Sequence, residues 1–242
     1  MSSYLDPFSN VSKAELGCPS RPPFVIRGPG VAAFINTDTG TLGFGNQQPG
    51  LTISGVEFLA PGSPFEGFTV EGWLTANNLQ GSGFKTCASG NEQTARTRIC
   101  CDGLTVVHVY QAIDHGIRCT VTLINTSQQS HHLRYARFID PDPTTDPQMD
   151  GDKVGWETRH RFSSNQVSAS HANGTLHMRI DSAGFATGTG SDEAWRTNFA
   201  IYFNGRHDTP GDNTIGVAVD FGRVDPGDSV TAVVTYFYSP GN

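Results

Sequence analysis

The sequence predicts an all-β fold: a large antiparallel two-sheet β-sandwich of about a dozen strands, led by an extended N-terminal arm. Three observations carry that expectation. Short apolar runs recur along the 242 residues between clusters of Gly, Pro, Asn and Asp, and 28 Gly with 14 Pro suit a chain of many turns. No long stretch repeats its apolar residues at helical spacing. In 117–124, Ile117, Cys119, Val121 and Leu123 alternate with Arg118, Thr120 and Thr122, the period of two of a half-buried strand.

Residues 1–23 contain Ser and Pro, end in Arg21-Pro22-Pro23, and read as the arm; 24–242 read as one sandwich domain. Strands are expected at 24–27, 31–36, 51–59 and 67–74, where Phe68, Val70 and Gly72 alternate with Thr69, Glu71 and Trp73. The stretch 88–99 reads as a loop between Cys87 and Cys100. Strands at 104–111 and 117–124 follow, and a polar turn at Asn125-Thr-Ser127 hairpins into 133–139. Further strands fall at 154–162, 166–170, 175–180, 197–204, 215–221 and 229–238. The one helical candidate is Ser191-Asp-Glu-Ala-Trp195, with Ser191 as its cap. Val224-Asp-Pro-Gly-Asp-Ser229 predicts a type II turn, with Pro at its second position and Gly at its third.

Composition narrows the function classes. The formal charge is −7, from 16 basic and 23 acidic residues, and no basic stripe is present, which argues against a nucleic-acid partner. No apolar stretch approaches the ~20 residues of a membrane span. The start, Met1-Ser-Ser-Tyr-Leu-Asp-Pro-Phe8, lacks the basic and apolar regions of a secretory signal. The expectation is a protein made and assembled in a cytoplasm, or one whose signal has been cut off.

The densest chemical signal is the acidic loop that follows the 133–139 strand. Asp140, Asp142, Asp146, Asp150 and Asp152 offer hard oxygen ligands of the kind Ca²⁺ takes, and Pro141, Pro143 and Pro147 stiffen the loop. The spacing is not that of an EF-hand, whose Gly and terminal Glu are missing. The plain alternative is a solvated loop in which Asp-Pro pairs make turns.

Five cysteines, Cys18, Cys87, Cys100, Cys101 and Cys119, leave at least one unpaired within a monomer. Cys87 and Cys100 are the disulfide candidates; five reduced, mostly buried thiols is the other reading. The eight histidines form no His-Glu-x-x-His or His-x-His pattern, although His171 and His177 fall on facing strands of one hairpin. No Gly-x-Ser-x-Gly elbow or phosphate-binding glycine motif occurs, and Gly188-Thr-Gly190 reads as a loop. Trp73, Trp156 and Trp195 are candidates for stacking a ligand such as a sugar, although aromatics on strands more often pack a core or an interface.

Three pieces resemble a wider class. Asn125-Thr-Ser followed by Arg134-Tyr-Ala-Arg137 and Asp140-Pro-Asp142 is similar to extracellular and virion β-sandwich domains of bacteria and phages. So are Asp225-Pro-Gly-Asp-Ser229 ahead of the last strand and the turn Leu59-Ala-Pro-Gly-Ser-Pro64. The resemblance implies a non-enzymatic structural protein, with a phage virion component (decoration, collar, tail or fibre-associated subunit) as the leading reading. It would act in the virion through contacts in a homo-oligomer or with other virion proteins, with no required cofactor beyond a candidate Ca²⁺. Two alternatives stand beside it. One is a carbohydrate-binding or sugar-epimerase-like sandwich, which would show a groove lined by Trp and by His or Glu on one sheet. The other is a secreted bacterial surface domain.

Overall fold

The computed structural model describes residues 24–43, 50–59, 65–78, 85–146, 157–193, 199–204 and 210–240. The expected arm at 1–23 lies outside these. The described chain is nearly all strand, and every pairing is antiparallel. It forms three sheets where two were expected.

The smallest sheet comes first. β1 (Phe24–Gly28) pairs with β2 (Val31–Asn36), which also holds β3 (Thr41–Leu42) and β4 (Leu51–Ile53); β5 (Val56–Glu57) closes the edge. The carboxylate of Glu57 folds back on this corner. It accepts from the backbone N–H groups of Leu51 (2.7 Å), Phe58 (3.1 Å) and Leu59 (2.9 Å) and from the Thr52 hydroxyl (2.6 Å). A charged side chain is tolerated there because four donors of the corner point at it.

The second sheet takes β6 (Phe65–Val70) and β7 (Leu74–Asn77), then β12 (His131–Asp140), β16 (Ala186–Glu193) and β17 (Asn213–Val224), in the order β16-β17-β12-β6-β7. The third and largest comprises β8 (Lys85–Gly90), β9 (Thr94–Cys101), β10 (Leu104–Ile113), β11 (Gly116–Asn125), β13 (Arg159–Phe162), β14 (Gln166–His171), β15 (Gly174–Asp181) and β18 (Ser229–Ser239). Its order is β13-β14-β15-β18-β11-β10-β9-β8.

Period-two patterning decides which side chains meet between these sheets. On β11, Ile117, Cys119, Val121 and Leu123 are fully buried, as the alternation requires. They join Leu176, Met178 and Ile180 of β15 and Val234 and Tyr236 of β18 in one core with Leu133, Tyr135 and Ile139 of β12. Full burial of each large aliphatic chain is worth about 1.5–3 kcal/mol.

The hairpin expected between β11 and β12 does not form. β11 pairs with β10 and β18, whereas β12 pairs with β6 and β17, so the polar turn carries the chain from one sheet to the other. Asn125 fixes that crossover. Its Nδ2 donates to the carbonyls of Gln129 (2.7 Å) and Val224 (3.0 Å), and its Oδ1 accepts from Ser127 N–H (3.0 Å). The neighbouring turn at 225–228 follows expectation: Gly227 takes φ +82°, and Asp228 N–H donates to the Asp225 carbonyl at 3.1 Å.

Two other expectations fail for the same reason, that polar or β-branched stretches pair when a neighbour needs an edge. Residues 88–99 are the β8–β9 hairpin rather than a loop, with Cys87 opposite Arg98 and Cys100 opposite Lys85. Ser191 sits in β16 opposite Ile215 rather than capping a helix. The helix α1 (Phe199–Asn204) forms within the stretch expected as a strand. It covers the outer side of the second sheet, where Tyr202 packs with Phe65, Ala136, Phe138 and Ala218. Gly188 and Gly216 make that close approach feasible: a Cβ on Gly188 would meet the Tyr202 carbonyl, and one on Gly216 its ring.

Candidate functional site

Alternation also builds a polar face on the far side of the large sheet. On β14, Val167 and Ala169 enter the core, which leaves Ser168 and Ser170 on the opposite face; on β15, Leu176 and Met178 enter it and leave Thr175 and His177 outside. These side chains and Ser239 of β18 line a groove of about 840 Å³, with Arg159, His160 and Arg161 of β13, His171 at the end of β14, and Glu157 and Pro210 at the rim. An antiparallel bridge between Thr158 and Gly211 holds the rim together, with N–H to carbonyl distances of 3.0 and 3.1 Å in the two directions.

The histidines of the groove are held by specific partners. His177 lies half-buried with its ring stacked on Phe237 at 4.7 Å, its Nε2 2.8 Å from Ser239 Oγ and its Nδ1 3.4 Å from Gln166 Nε2. Burial holds its imidazole below the ordinary range, so the ring is neutral at pH 7. Because the Gln166 amide donates to Nδ1, the proton sits on Nε2, facing Ser239. His171 Nδ1 accepts from Asn173 N–H at 3.2 Å, and His160 Nε2 lies 2.9 Å from Thr158 Oγ1. Imidazoles beside a carboxylate, guanidinium groups and hydroxyls are equipped to hold a hydroxylated ligand and to move protons on it.

The acidic loop runs past one end of this groove. Asn173, in the β14–β15 turn beside His171, donates from Nδ2 to the Pro143 carbonyl at 2.9 Å. Of the five aspartates singled out from sequence, Asp140 and Asp142 come together and are joined by Asp212, which the sequence reading missed. Asp146 is not in that group, and Asp150 and Asp152 lie outside the described residues. Burial first, and Asp212 second, pushes the Asp140 carboxyl up to about 7; burial, then Asp140 and Asp212, pushes Asp142 up to about 8.

The other candidate residues fall elsewhere. Trp73 stands edge-on to His131 at 4.8 Å, packs against the core and does not line the groove. Trp156 and Trp195 lie outside the described residues. The expected Cys87–Cys100 bond does not form: Cys87 is disulfide-bonded, while Cys100, Cys101 and Cys119 are free thiols. The groove itself was legible only as the His171/His177 hairpin. The missed signal is Ser and His alternating with Val, Ala, Leu and Met across 167–178.

No family model matches the sequence, and no curated protein is similar to it. Solved structures share the fold. One is a protein of Escherichia coli K12 assigned as an aldose 1-epimerase: TM-score 0.54, 7% identity, 90% of this chain and 99% of that one. A galactose mutarotase related enzyme from Lactobacillus acidophilus gives TM-score 0.50 at 8% identity over 91% and 98% of the two chains. A protein of Synechocystis gives 0.52 at 10% identity over 95% and 99%.

These likenesses correct the expectation of a non-enzymatic protein. The fold is shared with an assigned epimerase and a mutarotase related enzyme, so neither the sandwich nor the lack of a familiar motif is ground for calling the chain non-enzymatic. Neither of those two structures is a virion component. What they show is the architecture: an antiparallel β-sandwich of the aldose epimerase-like kind.

Proposed function

We propose that the groove on the large sheet binds a free aldose and catalyses interconversion of its anomers. The observation that supports this reading is the joint lining of that groove by Glu157, His160, His171 and His177, with Arg159, Arg161, Ser168 and Ser170 beside them. It combines a carboxylate, imidazoles and a set of hydroxyl-binding groups in a space of about 840 Å³, large enough for a monosaccharide.

The chemistry asks for one base and one acid. A base takes the proton from the anomeric hydroxyl as an acid delivers one to the ring oxygen; the bond between C1 and the ring oxygen breaks and an open-chain aldehyde forms. Rotation about C1–C2 and the reverse transfers close the ring on the other face, leaving the protein's protonation unchanged. Glu157 offers the carboxylate for the first role. Among the groove histidines, His177 offers the second once it has taken up a proton, because only the imidazolium is acidic enough to give one to the ring oxygen. The arginines and serines would orient the remaining hydroxyl groups.

The test is the mutarotation of α-D-glucose and α-D-galactose followed by polarimetry, with sugar binding followed by ligand-observed NMR. Faster equilibration than buffer, lost in the Glu157→Gln and His177→Gln variants, is the expected outcome. Binding without acceleration would make the groove a carbohydrate receptor. Neither binding nor acceleration over a panel of hexoses and pentoses would overturn the reading.

A further inference from the structure

Beside the groove, three carboxylates converge where β12 ends and β17 begins. Asp140 closes β12, and Asp142 lies two residues further on, the spacing that keeps side chains on one face of an extended chain. β12 and β17 pair with Ile139 opposite Ile215, and continuing that register brings Asp142 alongside Asp212. One carboxylate oxygen of each of the three lies within 4.8 Å of the other two. Asp140 and Asp142 are buried and Asp212 is exposed, so the cluster has a solvent-facing side.

A second observation points to something bound there. Asp142 is only 7% exposed, and its Oδ1 has no hydrogen-bond partner among the described residues. Nor does any described Lys, Arg or His form an ion pair with the three aspartates. A buried carboxylate oxygen without a hydrogen bond or a counter-charge is among the more costly arrangements in a protein interior.

We propose that Asp140, Asp142 and Asp212 form a binding site for a hard divalent cation, Ca²⁺. The donors are all carboxylate oxygens, with no sulfur or imidazole to favour Zn²⁺ or Cu²⁺. Ca²⁺ binds oxygen at about 2.3–2.6 Å and therefore spans oxygens up to about 5 Å apart, so one ion reaches all three side chains. Mg²⁺ needs about 2.0–2.1 Å and a near-ideal octahedron, and it usually takes one or two carboxylates, a poorer match to three. A bound ion would pin the exit of β12 to the start of β17. Through the Asn173–Pro143 hydrogen bond, it would also steady the wall of the groove near His171.

The experiment uses the full chain after chelator treatment, with calorimetric titration of CaCl₂ and thermal melts in chelator, Ca²⁺ and Mg²⁺. One Ca²⁺ per chain is expected, with a melt raised by about 5–10 °C at a hundredfold excess over Kd and a smaller rise in Mg²⁺. Asp142→Asn and Asp212→Asn should each lose the Ca²⁺-dependent rise. In chelator, Asp142→Asn should melt at or above the parent chain, because Asn keeps the size of Asp and removes one of three crowded carboxyl groups, and this separates loss of binding from loss of folding. Equal melts in Ca²⁺ and chelator, a rise retained in both variants, or a larger rise in Mg²⁺ would overturn the proposal. None of these measurements involves sugar, so a failed mutarotation assay leaves them standing.

Discussion

Arg137 Nε lies 2.7 Å from Glu66 Oε1 in an ion pair, and neither side chain has any exposed surface. The pair sits on the inner face of the second sheet and is completed by residues of the first and third. Tyr236 on β18 donates its hydroxyl to the same Oε1 at 2.7 Å, and Leu42 N–H donates to Oε2 at 2.7 Å. The hydroxyls of Tyr110 and Tyr135 accept from the guanidinium. Burial opposes the charge on Arg137, but Glu66 and the tyrosines outweigh it and hold the guanidinium charged, well above its usual range. The network thus ties all three sheets at one polar point inside an otherwise apolar core.

Removing one partner strands the other charge where water cannot reach it. Arg137→Met should cost about 3–5 kcal/mol in urea unfolding, and Glu66→Leu a similar amount. The double variant should recover much of that loss, because an apolar pair leaves no buried charge. A double variant as unstable as the sum of the singles would show that the coupling is weak.

His108 on β10 is also fully buried, edge-on to Phe68 at 4.5 Å and with Nε2 3.2 Å from the Tyr135 hydroxyl. Burial first and the nearby Arg137 second hold its imidazole well below 6.5; Tyr110 packs on the same side and Glu66 lies beyond Arg137. Below about pH 6.5 the unfolded chain therefore binds a proton that the folded chain refuses, so this contribution to stability is present above that pH and is lost as pH falls. The slope from this group is up to about 1.4 kcal/mol per pH unit. Unfolding free energy measured between pH 7 and 5 should fall less steeply in His108→Gln than in the parent; parallel slopes would contradict this.

Gly188 packs under α1 with no room for a methyl group. Gly188→Ala should force the Tyr202 backbone outward and cost about 1–3 kcal/mol. Hydrogen exchange should quicken first at 199–204. Gly72, in an open turn with nothing near its Cβ direction, is the contrasting case: its φ of +74° makes Gly72→Ala a test of backbone strain alone.

In the groove, Glu157→Gln and His177→Gln should lower the rate of anomer exchange by about 10²- to 10⁴-fold if those groups transfer the protons. Glu157 is exposed, so its variant should change folding stability by no more than about 0.5 kcal/mol. A fall in rate matched by an equal rise in KM alone would indicate a sugar-orienting role in place of proton transfer.

How far the sequence could be read depended on how local the determining physics was. The Pro-Gly turn at 225–228 follows from the chain itself, because Gly227 supplies the positive φ that a type II turn requires. The buried stripe of β11 follows in the same way from its alternation, since a strand sends successive side chains to opposite faces. Asp140 and Asp142 could be marked as one acidic unit because they are neighbours.

Other features depend on contacts that no local pattern encodes. Whether β12 pairs with β11 or crosses to another sheet is settled by its partners β6 and β17, each more than 60 residues away at its nearest point. Asp212 joins Asp140 and Asp142 only through the register of β17 on β12, which no spacing along the chain encodes. The groove arises because the consecutive strands β13, β14 and β15 lie beside the distant β18 with their polar faces out. The sequence by itself determined which residues alternate, turn and carry charge. The tertiary structure decided which of them meet, because strand pairing is a long-range choice made by the burial of whole faces rather than by any residue's own preference.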